Sequence, residues 1–186
     1  MVFLIRHAKV HYKWKLQYSL SGFIKAGNEY DSAEIEEISI DVIKQIREKI
    51  PETFDLYTSD LKRSIDTAEI IFPDKKIVTL HELSEVPIEP YTNDNRKHLL
   101  CMWLLFGRLQ WFMNNKKQRR SKAVVKNEIS NIMKIIDSNK DSVIIGHGFQ
   151  FRMMIKLLKN KFVIVRKNGK YIKNLDVIEC RERVKA

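Results

Sequence analysis

The sequence predicts an α/β domain built on a mostly parallel sheet, and three observations carry that expectation. Short, nearly continuous apolar runs rich in β-branched residues recur along the chain, as strands buried on both faces require. Between them lie segments whose apolar residues fall at the three- and four-residue spacings of an amphipathic helix. With 186 residues, 44% of them hydrophobic, and only 6 glycines and 4 prolines, the chain has material for one packed domain.

The elements follow in order. Val2-Phe3-Leu4-Ile5 is a first strand ending abruptly at Arg6-His7. Ile35, Ile38, Val42, Ile43, Ile46 and Ile50 predict a helix started by Asp31, with Glu34 three residues later, and stopped by Pro51. Phe54 to Tyr57 is a second strand, broken at Thr58-Ser59-Asp60. Ser59 or Asp60 is placed to cap a helix carrying Leu61, Ile65, Ala68, Ile70 and Ile71, which Pro73 ends. Ile77-Val78-Thr79-Leu80 is a third strand.

Residues 81–120 break the rhythm. The stretch holds Trp103, Phe106, Trp111 and Phe112 with little strand character, and reads as an excursion folded over the sheet edge, a lid or pocket wall. Its aromatics fit core or lid packing better than a ring-stacking substrate site. Val124, Val125, Ile129, Ile132, Met133 and Ile136 then mark another helix. Ser142-Val143-Ile144-Ile145 is a fourth strand ending at Gly146-His147-Gly148, and Phe151 to Leu158 a further helix. In the tail, Phe162 to Val165 and Lys170-Tyr171-Ile172 flank Asn168-Gly169, a hairpin-turn dipeptide. No repeat or linker divides the chain, so residues 1–186 are expected to form a single domain.

Charge narrows the partners. Lys and Arg number 34 against 23 acidic residues, a net charge of +11, which suits polyanions or small phosphorylated and carboxylated ligands. The densest cluster, Lys116 to Lys122, has no interleaved aromatics; it reads as a solvated basic segment or a rim attracting anions, and nucleic acid is disfavoured. Cys101 and Cys180 stand in no metal or redox spacing. His7 and His11 are four apart but follow a strand, with no carboxylate at helix spacing, so neither a metal nor a cofactor is expected. The longest apolar run, Leu99 to Phe106, is far short of the ~20 residues of a membrane span. The first residues lack the basic stretch of a secretory signal. A cytoplasmic location away from membranes is therefore expected.

In open α/β sheets ligands bind beyond the carboxyl ends of the strands. Those ends carry Arg6-His7, then Ser59 to Arg63, then His147, with Glu82 following the third run. Distant segments thus deliver two histidines, two arginines and a carboxyl group to one rim.

These segments also carry a resemblance. Leu4-Ile5-Arg6-His7-Ala8 is similar to the Arg-His-Gly signature of the histidine phosphatase superfamily, the phosphoglycerate mutase-like proteins. Thr58 to Ala68 resembles that family's Ser-x-Leu-x-Arg-Ala-x-x-Thr-Ala segment. Leu80-His81-Glu82 is similar to its Leu-x-Glu, and Val143 to Gly148, with Arg152 beyond, to its second histidine motif. The blocks stand in family order over Met1 to Leu158. Departures are Ala8 in place of glycine, Lys13 where a polar residue usually follows the nucleophile, and Leu83-Ser84-Glu85-Val86-Pro87 where Gly-x-x-x-Gly is usual. Ser21-Gly22-Phe23 resembles a segment near the substrate phosphate.

The resemblance implies a three-layer α/β/α sandwich and a metal-independent phosphatase acting on a small phosphorylated substrate. His7 would be the nucleophile and form a phosphohistidine. Arg6, Arg63 and His147 would clamp the phosphate, with Ser21, Gly22 and Lys13 as further contacts. Forked guanidinium donors match phosphate oxygens and spread the charge of the transition state. Glu82 would be the general acid, with Glu85 its competitor. Mutase-type phosphoryl transfer and a noncatalytic phosphate-binding module are the alternatives, a nucleic-acid binder the more distant one. The substrate and the oligomeric state stay open, a homodimer included.

Overall fold

The computed structural model describes residues 1–116, 118–136, 140–158, 162–166 and 171–183. Its centre is a sheet of six strands: β1 (Val2–Arg6), β3 (Asp55–Thr58), β4 (Ile77–Thr79), β6 (Ser142–Gly146), β7 (Phe162–Arg166) and β8 (Val177–Glu182), in spatial order β4-β3-β6-β1-β8-β7. The first four run parallel, with Val2 to Arg6 in register against Ser142 to Gly146 and Asp55 to Thr58 against Ser142 to Ile145. β8 pairs antiparallel with both β1 and β7. This is a mixed, mostly parallel sheet.

Alternation along the central strands explains the layers. Val2 and Leu4 of β1, with Ile144 of β6, face a core made with Ile129 and Ile132 of α5 (Lys122–Ile135) and Phe151 and Met154 of α6 (Gly148–Leu158). Phe3 and Ile5, with Val143 and Ile145, face the opposite core, made with Ile43 and Ile46 of α2 (Ile40–Arg47) and Ala68 and Ile71 of α3 (Lys62–Ile71). Covering both faces is why these strands read as unbroken apolar runs.

A third cluster joins Tyr18, Phe23 and Ala26 to Trp103. It links α1 (Leu20–Ser32) to α4 (Leu100–Phe112), beside a two-stranded ribbon of β2 (Gln17–Tyr18) and β5 (His98–Leu99). The excursion is thus mainly helical. Trp103 and Trp111 are buried as packing residues, whereas Phe106 and Phe112 are substantially exposed. Gly107 lets α4 approach the preceding loop: a Cβ there would fall 2.5 Å from Ile88 and 2.8 Å from the Glu89 carbonyl. Among the described residues no helix is long and apolar enough to cross a membrane.

Three local expectations are corrected. The helix read over 35–50 covers only Ile40–Arg47: Ile35 is extended and bridges Val10, and Asp31 lies near the end of α1, which Ser19 caps by accepting from the Gly22 amide. Isoleucines on one periodic stripe therefore straddle a bend in the chain. Ser59 and Asp60 do not cap α3, whose cap position is Leu61; Ser59 is engaged by His147, and Asp60 by His81 and Ser84. In the tail, β7 pairs with β8, while Tyr171 and Ile172 lie outside any strand. Ile172 is instead buried, with its carbonyl accepting from Arg6, and Leu175 turns the chain at φ 63°. Asn168, Gly169 and Lys170 lie outside the described residues.

Candidate active site

Strand register brings the sequence blocks together. Arg6 pairs with Gly146, so His7 and His147 leave adjacent parallel strands side by side, their ring centroids 5.0 Å apart. The His7 amide donates to the Gly146 carbonyl at 2.9 Å, and Asn174 Nδ2 donates to the His7 carbonyl at 2.7 Å. The neighbouring turn is tied to α3: the Ala8 amide donates to Thr67 Oγ1 at 2.9 Å, and Thr67 Oγ1 donates to the Arg63 carbonyl at 2.6 Å. Ala8 is absent from the left-handed backbone region, so its Cβ is accommodated.

The electronic state of His7 follows from these contacts. A carbonyl can only accept, so Nδ1 carries the proton it donates to the Ala8 carbonyl at 2.6 Å, and Nε2 keeps its lone pair. Burial, then the positive charges of Arg63 and Arg6, lower the His7 pKa to about 3 against a partly opposing backbone bond. The imidazole is a neutral base over the physiological range. His147 is fully buried and also held well below its ordinary pKa, by burial first and then by the charges around it. Its Nε2 meets Ser59 Oγ at 2.8 Å.

Around His7 stand donors with work left to do. Arg6 Nε, Arg63 Nε and His147 Nδ1 are buried nitrogens with no hydrogen-bond partner among the described residues. One terminal nitrogen of each arginine is anchored: Arg6 Nη1 donates to the Ile172 carbonyl at 2.7 Å, and Arg63 Nη1 to Asp31 at 2.7 Å, with the Arg63 guanidinium 5.0 Å from the centre of the Tyr30 ring. Arg6 packs on Gly148, where a Cβ would come within 3.3 Å of its Nε. Buried N–H groups seldom go unpaired, because each forfeits its hydration. Two guanidinium groups beside neutral imidazoles are matched by an anion with several oxygens.

Arg6, His7 and Arg63 line a cleft of about 720 Å³. Its lining includes Glu85 and not Glu82. Glu82 contributes its carbonyl, which accepts from Gln150 at 2.9 Å and Arg120 at 3.3 Å. Burial raises the pKa of Glu85, against the nearby charge of Arg108. The signal for Glu85 is in the sequence, since Leu83-Ser84-Glu85 repeats the Leu-x-Glu spacing three residues after Leu80-His81-Glu82.

Other expected residues stand elsewhere. Lys13 and Ser21 are exposed, Gly22 belongs to the first turn of α1, and none of the three lines the cleft. Arg152 is exposed and lies over the Tyr171 ring at 5.3 Å. The basic cluster, apart from Lys117 outside the described residues, is partly structural. Arg119 pairs with Glu89, and Arg120 pairs with Glu128 at 2.6 Å while donating to the carbonyls of Ser84, Glu85 and Glu82. Arg120 thereby braces the turn that presents Glu85. Tyr30 follows no motif, and the patterns at Asp31 and Arg120, a helix start and a basic cluster, give no sign of their part in the site. Among the described residues, no group of three or more His, Cys, Asp or Glu side chains is arranged to hold a metal.

Comparison with known proteins bears on the same residues. The family model of the histidine phosphatase superfamily (branch 1) matches residues 2–169. No curated protein sequence matches significantly. Among solved structures, phosphoserine phosphatase of Entamoeba histolytica with 3-phosphoglyceric acid is 18% identical at a TM-score of 0.54, over 95% of this chain and 87% of that one. A mutant of TTHB049 from Thermus thermophilus is 12% identical at a TM-score of 0.61, over 99% of both chains. Mycobacterial glucosyl-3-phosphoglycerate phosphatase is 15% identical at a TM-score of 0.54, over 85% of this chain and 79% of that one. At such identities these likenesses concern the fold.

Proposed function

The chain belongs to the histidine phosphatase superfamily, and from that premise we propose that it hydrolyses phosphomonoesters through a phosphohistidine on His7. The observation that carries the reading is the set of unpartnered buried nitrogens on Arg6, Arg63 and His147 beside a neutral, oriented imidazole.

In the proposed reaction the three donors hold the phosphoryl oxygens and offset the charge of the transition state. His7 Nε2 forms a bond to phosphorus as the ester P–O bond breaks. Glu85, whose pKa burial raises, gives its proton to the departing alkoxide. The resulting carboxylate then takes a proton from water; the hydroxide formed attacks phosphorus, the N–P bond breaks, and inorganic phosphate leaves with His7 neutral again. Arg6, Arg63 and His147 supply the electrostatic stabilisation, so the scheme needs no metal. Glu85 takes the acid role in preference to Glu82 because it faces the cleft.

The test is phosphoenzyme capture. Incubation with a labelled phosphate donor is expected to give acid-labile, alkali-stable protein label that His7→Ala abolishes. Label that persists in His7→Ala removes the nucleophile. Glu82, the acid that the resemblance implies, is absent from the cleft lining, which favours a noncatalytic phosphate-binding module as the second reading. Phosphate binding without label or turnover would support that module.

A further inference from the structure

Away from the clamp, the cleft changes character. Trp14, Phe23, Ile24 and Tyr30, with Leu100 and Leu104 of α4, line its outer part. Tyr30 lies under the Arg63 guanidinium, and the Trp14 ring sits 5.3 Å from Tyr30, so an apolar surface begins where the phosphate clamp ends. Phe23 stacks on buried Trp103 at 4.9 Å with the rings 9° from parallel, which fixes this wall on the third core cluster. Ile24 and Leu104 are 49% and 38% exposed, an apolar surface left open to the cleft.

The charges of the outer cleft point the same way. Three further guanidinium groups line it, and each already has a partner. Arg108 donates to the Val86 carbonyl at 2.8 Å, Arg119 is 2.6 Å from Glu89, and Arg120 is 2.6 Å from Glu128. Among the described residues no lysine lines the cleft, whereas Asp31, Asp60 and Glu89 do. A second anionic group on the ligand would meet carboxylates and committed arginines. A volume of about 720 Å³ is that of a site for a drug-sized molecule and greatly exceeds what a three-carbon phosphate fills.

We propose that the site selects phosphomonoesters whose alcohol portion is bulky, uncharged and apolar, seated between the α1 aromatic wall and α4. The proposal rests on the phosphatase reading for its chemistry, and it is tested by binding so that the two can fail separately. The probes are hydrolysis-proof phosphonates titrated calorimetrically into the full chain: methylphosphonate, biphenyl-4-ylmethylphosphonate and phosphonoacetate. The biphenyl probe is expected to bind at least tenfold more tightly than methylphosphonate, competitively with inorganic phosphate. Phosphonoacetate is expected to bind no more tightly than methylphosphonate. Ile24→Glu and Leu104→Glu, both at partly exposed positions that tolerate a charge, should each cut the biphenyl preference at least fivefold.

Equal affinity for the first two probes, tighter binding of phosphonoacetate, or a biphenyl preference that phosphate does not displace would overturn the inference. Turnover of an aryl phosphate reads the hydrolase proposal independently. If no ester is turned over while the preference stands, the hydrolase proposal fails alone; if esters are turned over without the preference, the apolar-wall inference fails alone. No binding of any phosphonate overturns the apolar-wall inference, and together with no turnover of any ester it refutes both.

Discussion

The two ends of the cleft are built by different means. At the inner end, Arg6, His7 and His147 sit at or one residue beyond paired positions of β1 and β6, two strands buried along nearly their whole length. Backbone hydrogen bonds fix where those residues emerge, and a slip of one position would turn the strands inside out. At the outer end, α1 and α4 meet through side chains of the third cluster, with only the two-residue pairing of β2 and β5 beneath. A lattice of backbone bonds holds reacting groups in place to a fraction of an ångström. Side-chain packing between helices tolerates exchange, so it suits the part of a site that recognises a leaving group.

The sharpest way to break this contrast is to substitute at each end. On the proposed mechanism, His7→Ala lowers kcat on an aryl phosphate by at least about 10³-fold, since no other group supplies the nucleophile. Leu104→Ala at the outer end is expected to act on KM and to change kcat less than about tenfold. Steady-state kinetics on one substrate checks both. A His7→Ala protein that keeps more than a tenth of its activity contradicts the assignment of roles to the two ends.

Next in size is the choice of acid. Glu85→Gln should slow hydrolysis of an alkyl phosphate by about 10²–10³-fold and that of a nitrophenyl ester by only a few-fold, because a good leaving group needs little protonation. Glu82→Gln should stay within about threefold of the parent on both, as its side chain lies outside the cleft lining. A plot of log kcat against leaving-group pKa, steeper for Glu85→Gln alone, separates acid catalysis from general damage.

The pH dependence is a smaller effect with a definite sign. His7 has a pKa of about 3 in the folded chain against an ordinary 6.5, so between those values the unfolded chain binds the proton more readily. Its contribution to stability is full above about 6.5 and is lost as pH falls toward about 3, and buried His147 acts in the same direction. Thermal unfolding from pH 7 to 4 should show Tm falling with acid, less steeply in His7→Gln. Glu85 has the opposite shift: burial raises its pKa, so its protonated form persists above the ordinary carboxyl range. Alkyl phosphate turnover should decline at higher pH as Glu85 ionises, and Glu85→Gln should flatten that limb.

What the sequence disclosed divides along the same line. The four parallel strands, the histidines at the ends of β1 and β6, and Arg63 were legible because burial on both faces and strand termini leave local marks. Residues 35–50 misled because periodicity registers only which residues face a core, and Ile35, on extended chain, shares a core cluster with the α2 residues Ile43 and Ile46. The tail hairpin misled because a turn dipeptide does not reveal that Ile172 is buried and that its carbonyl serves Arg6. Glu82 and Glu85 share one spacing, and only the turn at His81–Leu83 decides which carboxyl group faces the cleft. Partnerships such as Arg63 with Asp31 join separate elements across the fold, where sequence patterns carry no trace.

Arg120 offers the finest test, because it braces the turn that carries Glu85. Its guanidinium pairs with Glu128 of α5 and holds the carbonyls of Glu82, Ser84 and Glu85, so it positions the proposed acid without reaching the phosphate clamp. With only 12% of its side chain exposed, Arg120→Ala leaves Glu128 and these carbonyls without a partner in a largely dehydrated place, a loss of about 1–3 kcal/mol in chemical denaturation. Positioning predicts more than destabilisation. Arg120→Ala should slow alkyl phosphate hydrolysis by about three- to tenfold and spare the nitrophenyl ester, a faint copy of the Glu85→Gln pattern. Arg120→Lys keeps the charge but loses the fork, and should restore part of the stability while leaving the leaving-group dependence steep. Equal slowing of both esters would mean that Arg120 supports the fold and has no separate part in aiming Glu85.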